Sequence, residues 1–259
     1  ELLRHRVRDG VITRLIGKWL NAGVMEQGKL LYSEAGVPQG GSICPLLSNV
    51  YLHYVLDEWF AYEVRPRLKK RAFMVRFADD VLMGFESAED AKRVLEVLPK
   101  RLGRFDLSVH PDKTRLVEFS KPKGKGGKGA GTFDFLGFTH YWGKSRKGNW
   151  VIKRKTARKR LNRALKRASE WCRKNRHQPV AVQYGKLRRK LTGHFAYYGL
   201  TGNARWLSRY REGVKRLWRK WLDRRGGKAS MTWERFAQLL RHYPLPQAKV
   251  VHSIYAAKP

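Results

Sequence analysis

The feature that most limits how this chain can fold is a pair of adjacent acids between two short apolar runs. Residues 72–78 and 81–85 are rich in β-branched, aromatic and other apolar side chains, and only Asp79 and Asp80 separate them. Two strand-like runs joined by two residues of a turn-forming type are typical of a tight β-hairpin. The sequence therefore predicts a hairpin that carries two carboxylates at its tip.

The presence of two adjacent acids needs an explanation, because their carboxylates repel each other and add no apolar packing to the hairpin. A bound divalent cation would neutralise them, and Mg²⁺ prefers oxygen ligands while keeping positions open for phosphate groups. The alternative is an ordinary turn, since Asp is a common turn residue. The acids alone do not separate these two interpretations.

The remaining pattern predicts a mixed first half and a helical second half. The predicted elements, in chain order, are a helix at residues 2–21, a hairpin at 24–35, a glycine-rich loop at 36–42, a helix at 43–62, the acid hairpin, a helix at 87–103, a strand at 114–119, a Gly/Lys linker at 121–131, a strand at 132–138, and, after about residue 148, helices near 156–175, 180–198, 203–224 and 230–241.

Positive charge is concentrated in the second half of the chain. The net charge is +35, and residues 143–259 hold 33 Lys and Arg against 4 Asp and Glu, whereas residues 1–142 hold 23 against 17. A surface selected only for solubility would mix both signs, so this field indicates a polyanionic partner. Because no apolar run approaches the roughly 20 residues that span a bilayer, nucleic acid is favoured over a membrane. We predict two domains, 1–142 and 143–259.

Cations and aromatic residues provide the candidate RNA contacts of the second domain. A run of cations interleaved with apolar residues would bind phosphates with little sequence selectivity. The tyrosine pair could stack on unpaired bases, although most aromatic side chains in such a domain belong to the core. The candidate RNA-binding residues are Lys153, Arg154, Lys155, Arg158, Lys159, Arg163, Tyr197 and Tyr198.

Several motifs resemble those of one polymerase family in the family's order. Phe77-Ala78-Asp79-Asp80 resembles the aromatic-x-Asp-Asp signature of reverse transcriptases, and residues 36–49 resemble the Pro-Gln-Gly element in the form found in group II intron-encoded proteins. Residues 112–114 and 135–138 follow at approximately the family's spacing, and the region around residues 171–199 resembles the thumb/maturase part. The chain is identified as a member of the group II intron reverse transcriptase/maturase family.

The resemblance implies an α+β fold. A partial reverse-transcriptase palm, an antiparallel sheet with helices, would precede an all-helical basic thumb/maturase domain. The implied activities are RNA-directed DNA polymerisation and intron RNA binding as a maturase. The implied partners are intron RNA, an RNA template with a DNA primer, and dNTPs, with no membrane, in the cytoplasm and at the nucleoid when DNA is the target. Two alternatives are an RNA-binding splicing cofactor without polymerase activity and an RNA-binding relative with no link to introns.

The resemblance also assigns roles to individual residues. Asp79 and Asp80 would bind Mg²⁺, with Mn²⁺ as a substitute. The nucleotide and template contacts would be Pro38, Gln39, Gly40 and Lys113, and the primer grip would be Phe135, Leu136 and Gly137. The alternatives are structural: a glycine-containing turn, an exposed lysine and a buried strand, respectively.

The resemblance places a first catalytic carboxylate and a template-gripping region upstream of this sequence, which starts at Glu1. Because two-metal catalysis needs carboxylates on both sides of the ions, the 259-residue chain would carry only part of the metal site. Alone, it is expected to bind RNA but to polymerise poorly or not at all.

Overall fold

A computed structural model describes residues 2–21, 24–26, 29–31, 43–122, 131–226 and 230–253. The chain forms two compact units, Glu1–Leu116 and Val117–Pro259, and each is described by itself. Helices and small antiparallel sheets occur together, which confirms the predicted α+β class. The predicted domain boundary between residues 142 and 143 stays a prediction.

In the residues that the structure describes, the first unit combines three α-helices with two hairpins. Its elements are α1 (Gly10–Leu20), β1 (Val24–Glu26), β2 (Lys29–Leu31), α2 (Cys44–Leu52), β3 (Ala72–Phe77), β4 (Asp80–Phe85) and α3 (Ala88–Gly103). Strands β1 and β2 pair antiparallel, as do β3 and β4. Both hairpins and the helix expected at residues 87–103 were predicted from the sequence and are confirmed.

The predicted first helix is divided into two parts. A 3-10 turn at Leu2–His5 precedes α1, and the Asp9 carboxylate accepts hydrogen bonds from the backbone N–H groups of Val11 and Ile12, at 2.7 and 3.1 Å. Asp9 therefore caps a new helix, because its side chain satisfies donors that have no partner inside the helix.

The helix expected at residues 43–62 has about the predicted length but not the predicted winding. α2 continues without interruption into a π-helix at His53–Val64, and π-helices of this length are rare. The π-helix supplies much of the core of the first unit, where it packs with α3 and with the inner face of the β3–β4 hairpin. The buried residues of this core are Leu56, Trp59, Phe60, Val64 and Val94.

The predicted strand at residues 114–119 is wrong, because the structure shows no ladder at residues 114–122. Phe119, in the second unit, instead contacts a sheet through its ring. Its centroid lies 4.9 Å from that of Phe133, edge to face, and 5.5 Å from that of Trp142, stacked. Aromatic packing and not backbone pairing fixes this segment.

Within its described ranges, the second unit consists of a three-stranded sheet and four helices. Its elements are β5 (Phe133–Phe135), β6 (Phe138–Lys144), β7 (Trp150–Thr156), α4 (Arg158–Lys174), α5 (Val180–Tyr198), α6 (Ala204–Asp223) and α7 (Trp233–His242). The sheet is antiparallel in the order β5–β6–β7. All four helices were predicted, whereas β7 was not. In the described part of the chain, no helix is both long and apolar enough to cross a membrane.

Two buried amides connect the helices of the second unit. Asn203, fully buried before α6, bonds Thr156 at the end of β7 and the carbonyl of Tyr198 at the end of α5. Gln183 accepts a hydrogen bond from the indole N–H of Trp218 at 3.0 Å. Around these amides the four helices form one apolar core, which includes Leu161, Cys172, Leu187, Leu191, Phe195, Leu207, Val214, Trp218 and Phe236.

Candidate active site and nucleic-acid interface

The two acids lie at the tip of the β3–β4 hairpin, but they do not form its turn together. Phe77 pairs with Asp80, so the two-residue loop is Ala78-Asp79, and Asp80 is the first residue of β4. The prediction that Asp79 and Asp80 both occupy the loop is therefore wrong. Ala78 adopts a φ of 53°, and a positive φ at the first loop position matches the right-handed twist of a hairpin.

This register determines the face of the hairpin on which Asp80 lies. Directly paired residues share a face of the ribbon, so Asp80 lies on the face of Phe77. Phe73 and Val75 lie on the same face, and the side chains of Phe73, Val75 and Phe77 are 58%, 46% and 65% exposed. The acid tip thus borders an exposed apolar strip.

The opposite face of the hairpin is held by a nearly buried arginine. Arg76 binds the carboxylate of Asp57 with Nε at 2.7 Å and Nη2 at 2.6 Å, and its side chain is 12% exposed. Its Nη1 donates to the side-chain oxygen of Asn49 at 2.8 Å and to the carbonyl of Ala78 at 3.1 Å. The hydrogen bond with Asp57 raises the pKa of Arg76 above its usual value.

The donor set at the tip suits a divalent cation. Both acids are exposed, and neither forms an ion pair with any residue that the structure describes. Carboxylate oxygens are the ligands that Mg²⁺ and Mn²⁺ prefer. No cluster of three or more His, Cys, Asp or Glu that could hold a metal occurs within the described ranges, so Asp79 and Asp80 would supply two carboxylates to such an ion.

The predicted nucleotide contacts are only partly described. Pro38, Gln39 and Gly40 lie outside the described residues, as does most of the predicted Gly/Lys linker. Lys113 is exposed in a turn after α3, where its backbone N–H donates to the carbonyl of His110 at 3.3 Å. Its role at the leaving phosphates stays a prediction.

The predicted primer-grip residues form a turn and not a continuous strand. Phe135 ends β5 and pairs with Phe138, while Leu136 and Gly137 make a two-residue loop with φ values of 49° and 79°. Positive φ at both positions defines a type I′ hairpin turn. The single strand predicted at residues 132–138 is therefore wrong. The sequence did not indicate a turn there because Leu136 continues the apolar pattern of a strand.

The tyrosine pair supports this turn. The Tyr197 hydroxyl donates to the carbonyl of Leu136 at 3.0 Å, although the side chain is 56% exposed. A Cβ atom added at Gly137 would lie 2.8 Å from the Tyr198 hydroxyl oxygen. The ring of Phe138 contacts both tyrosines, with centroids 6.2 and 5.2 Å apart. Any base stacking by Tyr197 would therefore use a ring already anchored to the turn.

Three predicted RNA-binding cations lie on a strand. Lys153, Arg154 and Lys155 belong to β7, so their expected place on a helix is wrong. The Lys155 ammonium lies 4.9 Å from the centroid of Tyr141 and 5.7 Å from that of Trp206. These positions place cations beside aromatic faces, an arrangement that can also accept an unpaired base.

The α4 helix presents a basic face. It packs through its buried apolar stripe, and eight of its exposed positions carry cations that form no ion pair with described residues, while Asn162 and Glu170 are exposed as well. We call this surface the α4 basic face; it consists of Arg158, Lys159, Arg160, Arg163, Lys166, Arg167, Arg173 and Lys174. The predicted helical placement of Arg158, Lys159 and Arg163 is confirmed, whereas their contact with RNA stays a prediction.

His194 does not add to this positive charge at neutral pH. Its ring stacks on Tyr210 with centroids 3.8 Å apart and contacts Tyr198 at 4.5 Å. Burial lowers the pKa of His194 to about 4. The histidine is therefore a neutral packing residue behind the tyrosine pair.

Sequence reasoning missed the residues that hold the Ala78-Asp79 loop. Arg76 carried a signal, since it is a lone cation at an inward position of an otherwise apolar strand. Asp57 and Asn49 carried none, because their contact with Arg76 depends on how the helices pack. Asn203 carried no signal either, because its contact with Thr156 joins residues that are 47 positions apart in the sequence.

Two adjacent exposed carboxylates at a hairpin tip could ligate a divalent cation, which metal-dependent nucleotidyl transfer requires. The family model of reverse transcriptases (RNA-dependent DNA polymerases) matches residues 2–140, more than half of the chain. The chain therefore belongs to the reverse transcriptase family.

Curated relatives agree with the group II intron resemblance. The chain is 30% identical over 110 residues to the group II intron-encoded protein LtrA of Lactococcus lactis subsp. cremoris, which covers 39% of this chain and 18% of that protein. It is 41% identical over 58 residues to an uncharacterized 91 kDa protein in a cob intron of Schizosaccharomyces pombe, covering 22% and 7%. It is also 28% identical over 149 residues to protein YkfC of Escherichia coli K12, covering 45% and 38%. The matches span well under half of each relative.

Proposed function

We propose that this chain provides part of the palm and the thumb of an RNA-directed DNA polymerase of the group II intron type. The proposal rests on the exposed tip of the hairpin in a chain of the reverse transcriptase family, where neither Asp79 nor Asp80 forms an ion pair with a described residue. The family generally uses divalent metal ions, and we infer that Mg²⁺ is the ion bound here, with Mn²⁺ as a substitute.

Asp79 and Asp80 would hold the metal beside the primer end and the incoming dNTP. When bound, the metal stabilises the charge that develops on the attacking and leaving oxygens during in-line displacement. The residues of the chain position the reactants: Pro38, Gln39 and Gly40 would contact the nucleotide and template, and Lys113 would face the leaving phosphates. The turn at residues 135–137 would contact the primer backbone.

Asp79→Asn in the full-length protein tests the catalytic assignment. The substitution keeps the shape of the tip but removes a charged ligand, so Mg²⁺-dependent cDNA synthesis should fall at least about a hundredfold, within the range for loss of an electrostatic catalytic group. RNA binding, measured by filter retention, should not change. The matched control is Asp106→Asn, an exposed Asp at a turn with a φ of 53°, which should retain synthesis. Wild-type synthesis by Asp79→Asn would refute the assignment.

A second function, intron RNA binding as a maturase, is favoured by the α4 basic face. This surface lies beyond the matched residues 2–140, and its cations have no acidic partners among the described residues. Such a face would bind phosphates of folded intron RNA without reading its sequence. Splicing that survives Asp79→Asn while cDNA synthesis is abolished would assign both functions to one protein, whereas loss of both would favour a single shared site.

A further inference from the structure

We propose that Arg76 is a positioning residue that fixes the carboxylate pair of the catalytic tip, with Asp57 and Asn49 holding its guanidinium in place. The inference rests on the proposed metal-binding role of Asp79 and Asp80 and adds a part of the site that the sequence motif does not contain.

The guanidinium of Arg76 is held in a fixed plane. Its Nε and Nη2 bind both oxygens of Asp57, at 2.7 and 2.6 Å, and this bidentate pairing fixes the plane of the group. With the plane fixed, Nη1 can reach two further acceptors, the Asn49 side-chain oxygen at 2.8 Å and the Ala78 carbonyl at 3.1 Å. One side chain thereby ties α2 and the π-helix to the loop of the hairpin.

The loop of the β3–β4 hairpin contains a strained residue, Ala78. Ala78 has a φ of 53°, a conformation that costs a non-glycine residue roughly 1–2 kcal/mol. Such a residue keeps this conformation only where surrounding contacts enforce it. The hydrogen bond from Arg76 to the Ala78 carbonyl is such a contact, and the next two residues are the acids. The position of the Ala78 carbonyl therefore controls the direction in which Asp79 leaves the loop.

The ion pair of Arg76 and Asp57 leaves little net charge beside the tip. Arg76 is a nearly buried cation three residues before Asp79, and the carboxylate of Asp57 pairs with its guanidinium. The pair positions the tip without adding a net charge that would compete with a metal. A merely structural ion pair would also connect the strand to the helix, so the decisive measurement must report on the metal and not on stability.

Arg76→Lys in the full-length protein bound to template–primer is the test. Lysine can still pair with Asp57, but it lacks the planar fork that reaches Asn49 and Ala78 together. The readout is the free Mn²⁺ concentration that half-saturates the protein, measured by electron paramagnetic resonance without dNTP. We expect this concentration to rise about tenfold or more, as for other residues that orient metal ligands. The melting temperature should stay near the wild-type value.

The matched control is Arg71→Lys at the other end of the same hairpin. Arg71 pairs with Glu86 at 2.9 Å, but its side chain is 90% exposed and lies far from the loop in the strand register. This variant should bind Mn²⁺ like the wild type. If Arg76→Lys does not fold, Asp57→Asn replaces it. This variant keeps Arg76 and one acceptor oxygen at residue 57, but it no longer holds the guanidinium plane through two carboxylate oxygens. It should also raise the half-saturating Mn²⁺ concentration.

Asp79→Asn separates the two possible failures. If Asp79→Asn binds as much Mn²⁺ as the wild type, the proposed metal site is wrong. If Asp79→Asn loses the ion while Arg76→Lys binds it with wild-type affinity, the metal site stands and the positioning role of Arg76 is overturned. Unchanged affinity in Asp57→Asn, should that variant be needed, would overturn the positioning role in the same way.

Discussion

At the scale of single residues, side chains outside the loops hold the two turns that carry predicted site residues. Arg76 donates to the carbonyl of Ala78, and the hydroxyl of Tyr197 donates to the carbonyl of Leu136. Both loops contain a non-glycine residue at positive φ, a conformation that needs external contacts. The conformation of each turn therefore depends on a side chain outside its loop.

Gly137→Ala should destabilise the second of these turns. The new methyl group would lie 2.8 Å from the Tyr198 hydroxyl oxygen, and the φ of 79° is unfavourable for any L side chain. We expect the free energy of unfolding to fall by about 1–3 kcal/mol, measured by urea denaturation.

Gly185→Ala is the matched control for that substitution. Gly185 lies inside α5, and a Cβ atom added there meets nothing within 4 Å. Because alanine is the better helix former, this variant should gain up to about 1 kcal/mol. Equal effects of the two substitutions would show that the turn at Gly137 is not constrained as described.

At the scale of elements, the sequence predicted those whose pattern is local. The helices α3 to α7 and the β3–β4 hairpin have clear periodicity, caps or turn residues, and the Asp-Asp pair marked the candidate site. The strand β7 was missed because it has three apolar residues followed by three cations, without the alternation of a strand, and leads almost directly into the basic run of α4. The loop register at Asp79 was missed because it depends on the φ of Ala78.

The junction between β7, α5 and α6 depends on one buried amide. Asn203 accepts from the backbone N–H of Thr156 at 2.9 Å and donates to the Thr156 hydroxyl and the Tyr198 carbonyl, both at 2.8 Å. Its replacement by leucine would leave the backbone N–H and the hydroxyl of Thr156 buried without these partners, each at a cost of about 1–3 kcal/mol, while the Tyr198 carbonyl keeps the hydrogen bond that it accepts from the backbone N–H of Leu200 at 2.8 Å. We expect Asn203→Leu to lower the free energy of unfolding by about 3–5 kcal/mol in urea denaturation.

Asn162→Leu on the exposed side of α4 controls for the loss of an amide. Asn162 is exposed, so this variant should change stability by no more than about 0.5 kcal/mol. A loss at Asn203 as small as that at Asn162 would contradict the view that the amide network joins the three elements.

At the scale of the whole molecule, the open question is whether RNA responds to the total charge of +35 or to where the charge lies. The α4 basic face predicts that location matters, because phosphate binding requires cations on one accessible surface. If only the long-range field mattered, removing the same charge anywhere would weaken binding equally.

Two double reversals with the same change of net charge separate these possibilities. Arg163→Glu with Arg167→Glu alters the α4 basic face, and Lys92→Glu with Lys100→Glu alters exposed cations of α3. Binding to structured RNA should be measured as a function of salt. The α4 variant should reduce the slope of log K against log[salt] by about 1 for each phosphate that the protein no longer neutralises, whereas the α3 variant should keep the wild-type slope. Equal slopes in both variants would mean that net charge, and not the α4 surface, governs binding.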